Sequence, residues 1–283
     1  MIQQDATPLL KAKGIQKEQI PAAATGTAHR SSPPIFGFGL VEAIPDATIL
    51  AHEDPTDANH DGIRGHANRT VDGRIGRFGR KAAVATLFDF NAGAFPQEIG
   101  ATTPLSPVEE TINGTPVPPD TDPAPDPEVS RVDIENVTAF TRFLAPLAPP
   151  SIHSYQEQEL VNRGQALFAS LKCAVCHVPQ MTTGPHTVKA LDRKPVKLYS
   201  DLLLHDMGPA LADICLEQAQ PSEFRTEMLM GLRFREHYLH NGTVKTIREA
   251  IERHDGEAQY SRDKFNALGD DDKKALLKFL GTL

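Results

Sequence analysis

The segment Cys173-Ala174-Val175-Cys176-His177 is the strongest constraint that this sequence places on its fold. Two cysteines three residues apart, followed directly by a histidine, have the spacing that attaches a c-type haem. The thiols can bond the two vinyl groups of one porphyrin, and the imidazole can bind the iron from one side. We therefore predict one covalent haem c, with Cys173 and Cys176 as anchors and His177 as the proximal iron ligand.

Two other kinds of site use a cysteine pair at this spacing. A structural zinc site needs four ligands, usually with a second Cys or His pair, and the remaining cysteine, Cys215, has no suitable neighbour in sequence. A thioredoxin-like dithiol would have a βαβ context and no histidine directly after the second cysteine. The sequence favours haem over a zinc half-site and over a redox dithiol.

Composition and charge restrict the class of protein and its partners. The chain of 283 residues is 40% hydrophobic and has a net charge of -8. No run approaches the ~18 apolar residues of a membrane-spanning helix, and no apolar signal region opens the chain. The negative charge argues against nucleic acid as a partner and would suit a basic redox partner protein. Because covalent haem attachment is normally completed outside the cytoplasm, we expect a periplasmic protein whose signal was removed, or a piece of a longer product.

Proline content divides the chain. Twelve of the 23 prolines fall between Pro96 and Pro150, and Ile112 to Ser130 is nearly all Pro, Asp, Thr and small residues. Such a stretch buries too little apolar surface to order itself and reads as a linker. We predict a loop-rich N-terminal segment over 1–150, with one helix near Val84 to Phe95, and a haem domain over 151–283.

Helical periodicity describes the second part of the chain. One helix is predicted from Ile134 to Leu144, before Pro146. Ser154 and Glu157 form a capping box in front of a helix that leads into Cys173. Three more helices are predicted, over Glu223 to Leu232, Ile247 to His254, and Asp271 to Leu280. The predicted fold class is mainly α, with a cytochrome c-like haem domain after a loop-rich N-terminal segment.

The second axial ligand has several candidates. The histidines and methionines that could bind the iron opposite His177 are His205, Met207, Met228, Met230, His240 and His254. His254 shares the apolar face of Ile247 and Ile251 in the helix that Thr246 caps, although a histidine in the last turn also suits a helix C-terminus without any ligand role. Met207 lies in a turn-like segment, and an open iron position is the third alternative. Arg233 and Arg235 are candidates for pairing with haem propionates. The alternative is that both are ordinary surface arginines.

An N-terminal loop resembles half of a calcium site. Asp57, Asn59 and Asp61 occupy positions 1, 3 and 5 of such a loop, and Gly62 occupies position 6. Position 12 is Asn68 instead of a bidentate Glu, so an EF-hand is not expected. The alternative is a surface turn in which these side chains bond their own backbone.

Several motifs in order resemble the bacterial di-haem oxidoreductase family, which is related to di-haem cytochrome c peroxidases. The segments are GFGLVEAIPDATILAHEDPTDANHDGIRGHANR, DGRIGRFGRKA, CAVCHVP, DLLLHDMGPALAD, EFRTEMLMGLRFREHYLHNG and AIERHDGEAQYSRDKF. The resemblance runs from about Ile35 to Leu283. It implies that His254, in the helix after the turn Tyr238 to Gly242, is the distal ligand of an electron-transfer haem.

Two departures from that family bear on function. Family members carry a second CxxCH, on the haem where peroxide would react, and this sequence has one such motif. The segment Thr226 to Gly231 lacks the family's Pro and Trp residues. The leading hypothesis is therefore an electron-transfer protein equivalent to the relay half of a di-haem oxidoreductase. A peroxidase-like haem oxidoreductase is the alternative, and a calcium-stabilised interaction module with a vestigial haem site is the third.

Overall fold

A computed structural model describes residues 2–283 of the chain. Its N-terminal part contains α1 (Pro8–Ala12), α2 (Phe38–Glu42), α3 (Asp46–Leu50), α4 (Leu87–Ala94), a π-helical turn (Phe95–Ile99) and α5 (Arg131–Phe143). Its C-terminal part contains α6 (Tyr155–Ser170), α7 (Cys173–Cys176), α8 (Ile247–Glu252), α9 (Gln259–Asn266) and α10 (Asp270–Leu280). Three 3-10 turns lie at Pro209–Leu211, Leu232–Phe234 and Gly256–Ala258.

Two short antiparallel sheets lie between α7 and α8. Strand β1 (Met181–Thr182) pairs with β2 (Pro195–Val196), and β3 (Leu204–Asp206) pairs with β4 (Glu223–Arg225). The chain is 34% helical with 8% strand, so it is a mixed, loop-rich fold. The prediction of a mainly α, cytochrome c-like fold is wrong. The reason is that the chain from α7 to α8 is built from turns and short strand pairings instead of helices.

Helix starts follow the local capping signals. The Ser154 hydroxyl accepts the N–H of Glu157 at 3.1 Å, and α6 begins directly after it. Thr246 caps α8 in the same way, at 3.1 Å from the N–H of Glu249. The helix predicted from Glu223 to Leu232 is absent, because its first residues form β4 with Leu204 opposite Arg225.

The described chain divides into two units by its internal contacts. One unit comprises the residues up to Thr27 together with Leu87–Phe140, and the other comprises Ala28–Thr86 together with Thr141–Leu283. In the first unit, part of the Pro-rich segment bonds to Thr102, whose N–H donates to the Glu128 carboxylate at 2.8 Å. The predicted division at residue 150 stays a prediction.

The core of the second unit lies between α6 and α10. Its buried members are Val161, Phe168, Leu171, Tyr199, Leu232, Phe265, Leu276, Phe279 and Leu280. The helices approach closely at Gly164, where a Cβ atom would lie 2.1 Å from the Ala275 carbonyl oxygen. Phe168 lies 5.5 Å from Phe279 and 6.3 Å from His177, measured between ring centres. The same core therefore fixes α6 and one wall of the site described below.

Within residues 2–283, every helix is too short or too polar to cross a lipid bilayer.

Candidate haem-binding site

The cysteine motif directly follows α6 and forms a helical turn of its own. Lys172 has a φ of 63°, a left-handed conformation that is uncommon for a residue other than glycine. This residue turns the chain into α7, after which the His177 N–H donates to the Cys173 carbonyl oxygen at 2.9 Å. The single turn brings both thiols and the imidazole to one cavity, which all three line.

Both motif cysteines are half-buried thiols. Burial raises the pKa of Cys173 to about 12, and burial also raises the pKa of Cys176. Redox and metal-binding cysteines need the thiolate, which depends on a lowered pKa. The raised pKa of both thiols speaks against the redox dithiol that the spacing alone leaves open.

His177 and His254 face each other across the cavity. Their ring centres are 6.5 Å apart, with 47° between the ring planes. The His177 Nδ1 lies 3.0 Å from the Tyr199 carbonyl oxygen, and the His254 Nδ1 lies 2.6 Å from the Ala250 carbonyl oxygen. Each Nδ1 can therefore donate to a carbonyl, and that tautomer leaves Nε2 with a free lone pair for a metal.

Burial keeps these two histidines neutral. It lowers the pKa of His177 to about 4, with a further contribution from the nearby His254. Burial also lowers the pKa of His254. Since only the neutral imidazole binds a metal, the protonation state agrees with the ligand geometry.

The cavity and its donors fit a haem. Two imidazoles on opposite sides of one metal, with bonds of ~2.0–2.1 Å, have ring centres roughly 6–6.5 Å apart, which agrees with the observed 6.5 Å. The two thiols and the two imidazoles line a single cavity that opens to solvent. Apolar side chains line much of it, among them Phe168, Leu232 and Ile251. Cys173, Cys176, His177 and His254 would hold the group.

His205, a candidate iron ligand by residue type, has both ring nitrogens engaged elsewhere. Its Nε2 lies 2.8 Å from Asp201, and its Nδ1 lies 2.8 Å from Glu257 and 3.7 Å from the Cys176 sulfur. Burial acts to lower the pKa of His205, but its contacts with Cys176, Asp201 and Glu257 outweigh it, so that the pKa lies well above its usual value. The result is a buried imidazolium that donates to carboxylates and has no free lone pair for iron.

The other axial candidates occupy different positions. Met207 lines the cavity. Met228 is buried in the core, and Met230 packs against Gly37. His240 also lines the cavity, and its ring stacks on Phe224 with 4.0 Å between ring centres. Among the described residues, His254 is the candidate whose ring is placed opposite His177.

Arg233 and Arg235, the two candidates for binding haem propionates, lie in different surroundings. Arg235 lines the cavity. Arg233 bonds the carbonyl oxygens of Thr282 and Leu283, both at 3.3 Å, and that of Ala148. Sequence reasoning missed Arg80, Arg225 and Glu227, which also line the cavity. Arg80 lies in the segment DGRIGRFGRKA, and Arg225 and Glu227 lie in EFRTEMLMGLRFREHYLHNG. Neither segment by itself indicates that these side chains meet on the wall of one cavity.

The candidate calcium loop is a network of side chain to backbone bonds. Asp57 accepts the N–H of Asp61 at 2.9 Å and that of Gly62 at 3.1 Å. Asn59 accepts the Asp61 N–H at 2.9 Å, and Asp61 accepts the Ile63 N–H at 3.0 Å. These bonds describe the surface turn, and calcium binding by Asp57, Asn59 and Asp61 stays a prediction.

The sequence profile of a protein family matches residues 23–283, and the family is described as "Di-haem oxidoreductase, putative peroxidase". The chain belongs to this family. Membership confirms the resemblance that the sequence motifs indicate, and it agrees with a cavity that two cysteine thiols and two neighbouring imidazoles line.

Two solved structures are similar over nearly the whole chain. One is hydrazine synthase of Kuenenia stuttgartiensis in a xenon-pressurised crystal, at 15% identity and a TM-score of 0.42, covering 94% of this chain and 98% of that chain. The other is a MauG-like protein associated with microbial copper homeostasis, at 17% identity and a TM-score of 0.42, covering 94% and 95%. Values this low support no inference about function. No curated protein matches the chain.

Proposed function

We propose that this member of the di-haem oxidoreductase family carries one covalently attached haem c and relays electrons. The observation that carries the proposal is the pair His177 and His254, whose rings face each other at 6.5 Å. Two bound histidines leave no open position at an iron, which suits electron transfer better than reaction with peroxide. A bound haem supplies a one-electron couple, and the protein supplies its ligands, its attachment and its surroundings.

The attachment is assigned to Cys173 and Cys176. Both thiols line the same cavity as the two histidines, and the turn of α7 sets their spacing. Because such thioether bonds are normally formed outside the cytoplasm, the proposal includes export to the periplasm. The net charge of -8 favours a basic redox protein as the partner.

A peroxidase-like activity is the second candidate, and the family description favours it. Peroxide chemistry would need an open position at the iron. Since His254 faces His177, that position would exist only if His254 moved away, or if a partner supplied the reacting haem.

The test uses protein produced with c-type maturation machinery. Haem should remain on the denatured chain after acid-acetone extraction, and the native absorption and electron paramagnetic resonance spectra should show six-coordinate, low-spin iron. His254→Ala should convert the iron to high spin and allow cyanide to bind. His240→Ala is the matched control, because it removes another cavity-lining histidine and should leave the iron low-spin.

Three results would contradict the proposal. If the haem washes out completely, it is not attached covalently. If the unmutated protein shows the near-infrared band of methionine ligation and Met207→Ala abolishes it, then Met207, and not His254, is the second iron ligand. If the unmutated protein has high-spin iron and turns over peroxide, its function is that of a peroxidase and not of an electron relay.

A further inference from the structure

Three arginines surround one carboxylate on the wall of the haem cavity. The Glu227 Oε2 lies 2.6 Å from the Arg80 Nη1 and 3.2 Å from the Arg225 Nη2. The Glu227 Oε1 lies 2.9 Å from the Arg235 Nη2. All four residues line the cavity, so the cluster is part of the proposed cofactor site.

The cluster contains three cationic side chains and one anionic side chain, and its arginines are largely buried. The side chains of Arg225, Arg80 and Arg235 are 1%, 7% and 12% exposed. Burial acts to raise the pKa of Glu227, but the three arginines outweigh it and hold that pKa at about 2. Glu227 is therefore an anion that balances one of three guanidinium groups. Buried charges without counter-ions are costly, which points to a further anionic partner.

Two buried atoms of the cluster, the Glu227 Oε1 and the Arg235 Nε, have no hydrogen-bond partner in the described chain. The Glu227 Oε1 contacts the Arg235 Nη2 only as an ion pair. Arg225 donates to the Gly79 and Thr226 carbonyl oxygens, both at 2.9 Å, and Arg80 donates to the Ser31 carbonyl oxygen. In contrast, the Nε of Arg235 is buried and has no hydrogen-bond partner within the described chain. An unsatisfied buried donor on a cavity wall is expected to meet an acceptor on the occupant.

We propose that Arg80, Arg225 and Arg235 receive the two propionate carboxylates of the haem, with Glu227 as the fixed counter-ion. This inference rests on the proposed function. Two propionates carry the two negative charges that the cluster lacks, and guanidinium groups bind carboxylates through charge-assisted hydrogen bonds. The cluster would therefore orient the haem in the cavity and set its reduction potential. Each guanidinium beside the haem offsets the negative charge of a propionate and so favours the reduced state, because reduction removes one positive charge from the iron.

The experiment measures the reduction potential of the matured protein and its variants. Arg235→Gln removes a cation and should favour the oxidised state on the order of tenfold, a potential lower by about 59 mV for one electron. Arg233→Gln is the matched control, since the neighbouring arginine binds carbonyl oxygens outside this cluster. Arg235→Lys keeps the charge and should recover most of the potential.

Glu227→Gln gives an independent test with the opposite sign. It removes the only carboxylate ion-paired to all three arginines in the described chain and should raise the potential. Loosened packing alone would not move the potential in opposite directions for the Arg235 and Glu227 variants. This second variant also keeps the proposal testable if Arg235→Gln fails to fold.

The outcomes separate this inference from the function on which it rests. A protein without covalent haem would overturn the proposed function. Low-spin, covalently bound haem in every variant, with Arg235→Gln no different from Arg233→Gln, would overturn the propionate assignment alone. A reduction potential that Glu227→Gln leaves unchanged or lowers would also overturn the propionate assignment. A wild-type potential that follows added inorganic phosphate would assign the cluster to solvent anions instead.

Discussion

Gly164→Ala tests the helix contact that positions the cysteine motif. Gly164 lies in α6, and a Cβ atom there would be 2.1 Å from the Ala275 carbonyl oxygen and 2.6 Å from the Phe279 Cβ. Real Cβ atoms do not approach other atoms so closely, so α6 and α10 must separate. That movement would loosen the buried rings of Phe168 and Phe279, which pack at 5.5 Å.

The expected cost is the difference between two opposing effects. Alanine in a helix interior is favoured over glycine by about 1 kcal/mol. Overpacking a core costs typically about 1–3 kcal/mol. A clash with a backbone oxygen cannot be relieved by rotating a side chain, so the upper value applies. The free energy of unfolding should fall by about 2 kcal/mol, which lowers the melting temperature by roughly 4–8 °C for a unit of this size.

The assay is thermal unfolding of the haem-loaded protein, followed at the haem Soret band and by far-ultraviolet circular dichroism. Two probes are needed because the chain contains two units that can unfold separately. Ala166→Gly is the matched control, since Ala166 is exposed in the same helix and reports propensity alone. If Gly164→Ala raises the melting temperature by about as much as Ala166→Gly lowers it, the steric argument is refuted.

Two further predictions concern the loop and the thiols. Asp57→Ala with Asp61→Ala removes backbone hydrogen bonds of the loop and should lower the melting temperature more with calcium than with chelator, because a ligand that binds the folded state alone stabilises it; an equal loss in both conditions would leave only the backbone-bonded turn. In protein made without haem attachment, an alkylating reagent at neutral pH should label the exposed Cys215 quickly and Cys173 and Cys176 slowly, since burial raises the pKa of both motif thiols. Rapid labelling of that pair would favour a redox dithiol.

Local signals predict the helices that hold the site. Ser154 and Thr246 each cap a helix through a neighbour three residues away, so short sequence windows contain the necessary information. The apolar face of Ile247 and Ile251 likewise indicates that His254 points inward, and the structure places its ring opposite His177. The cysteine spacing predicts the cofactor chemistry before any fold is known.

Long-range contacts account for what sequence reasoning missed. The segment from Glu223 reads as a helix by periodicity, yet it pairs with Leu204–Asp206 across an intervening loop. The imidazolium of His205 needs Glu257, which is 52 residues away. Arg80 and Glu227 are 147 residues apart and still form an ion pair at 2.6 Å. Each partner looks like an ordinary surface charge until the fold joins them.

The arrangement of His177 and His254 supports the proposed electron relay. Each imidazole is fixed by a backbone carbonyl, from Tyr199 in one case and from Ala250 in α8 in the other. Backbone carbonyls move little, since Tyr199 packs with Phe168 and Phe279 in the core and α8 is capped by Thr246. A hydrogen bond from Nδ1 to a carbonyl oxygen orients an imidazole and makes its Nε2 a stronger metal ligand. A peroxidase needs one iron position that opens to substrate, whereas both histidines proposed as ligands here are tied to the backbone through their Nδ1 atoms.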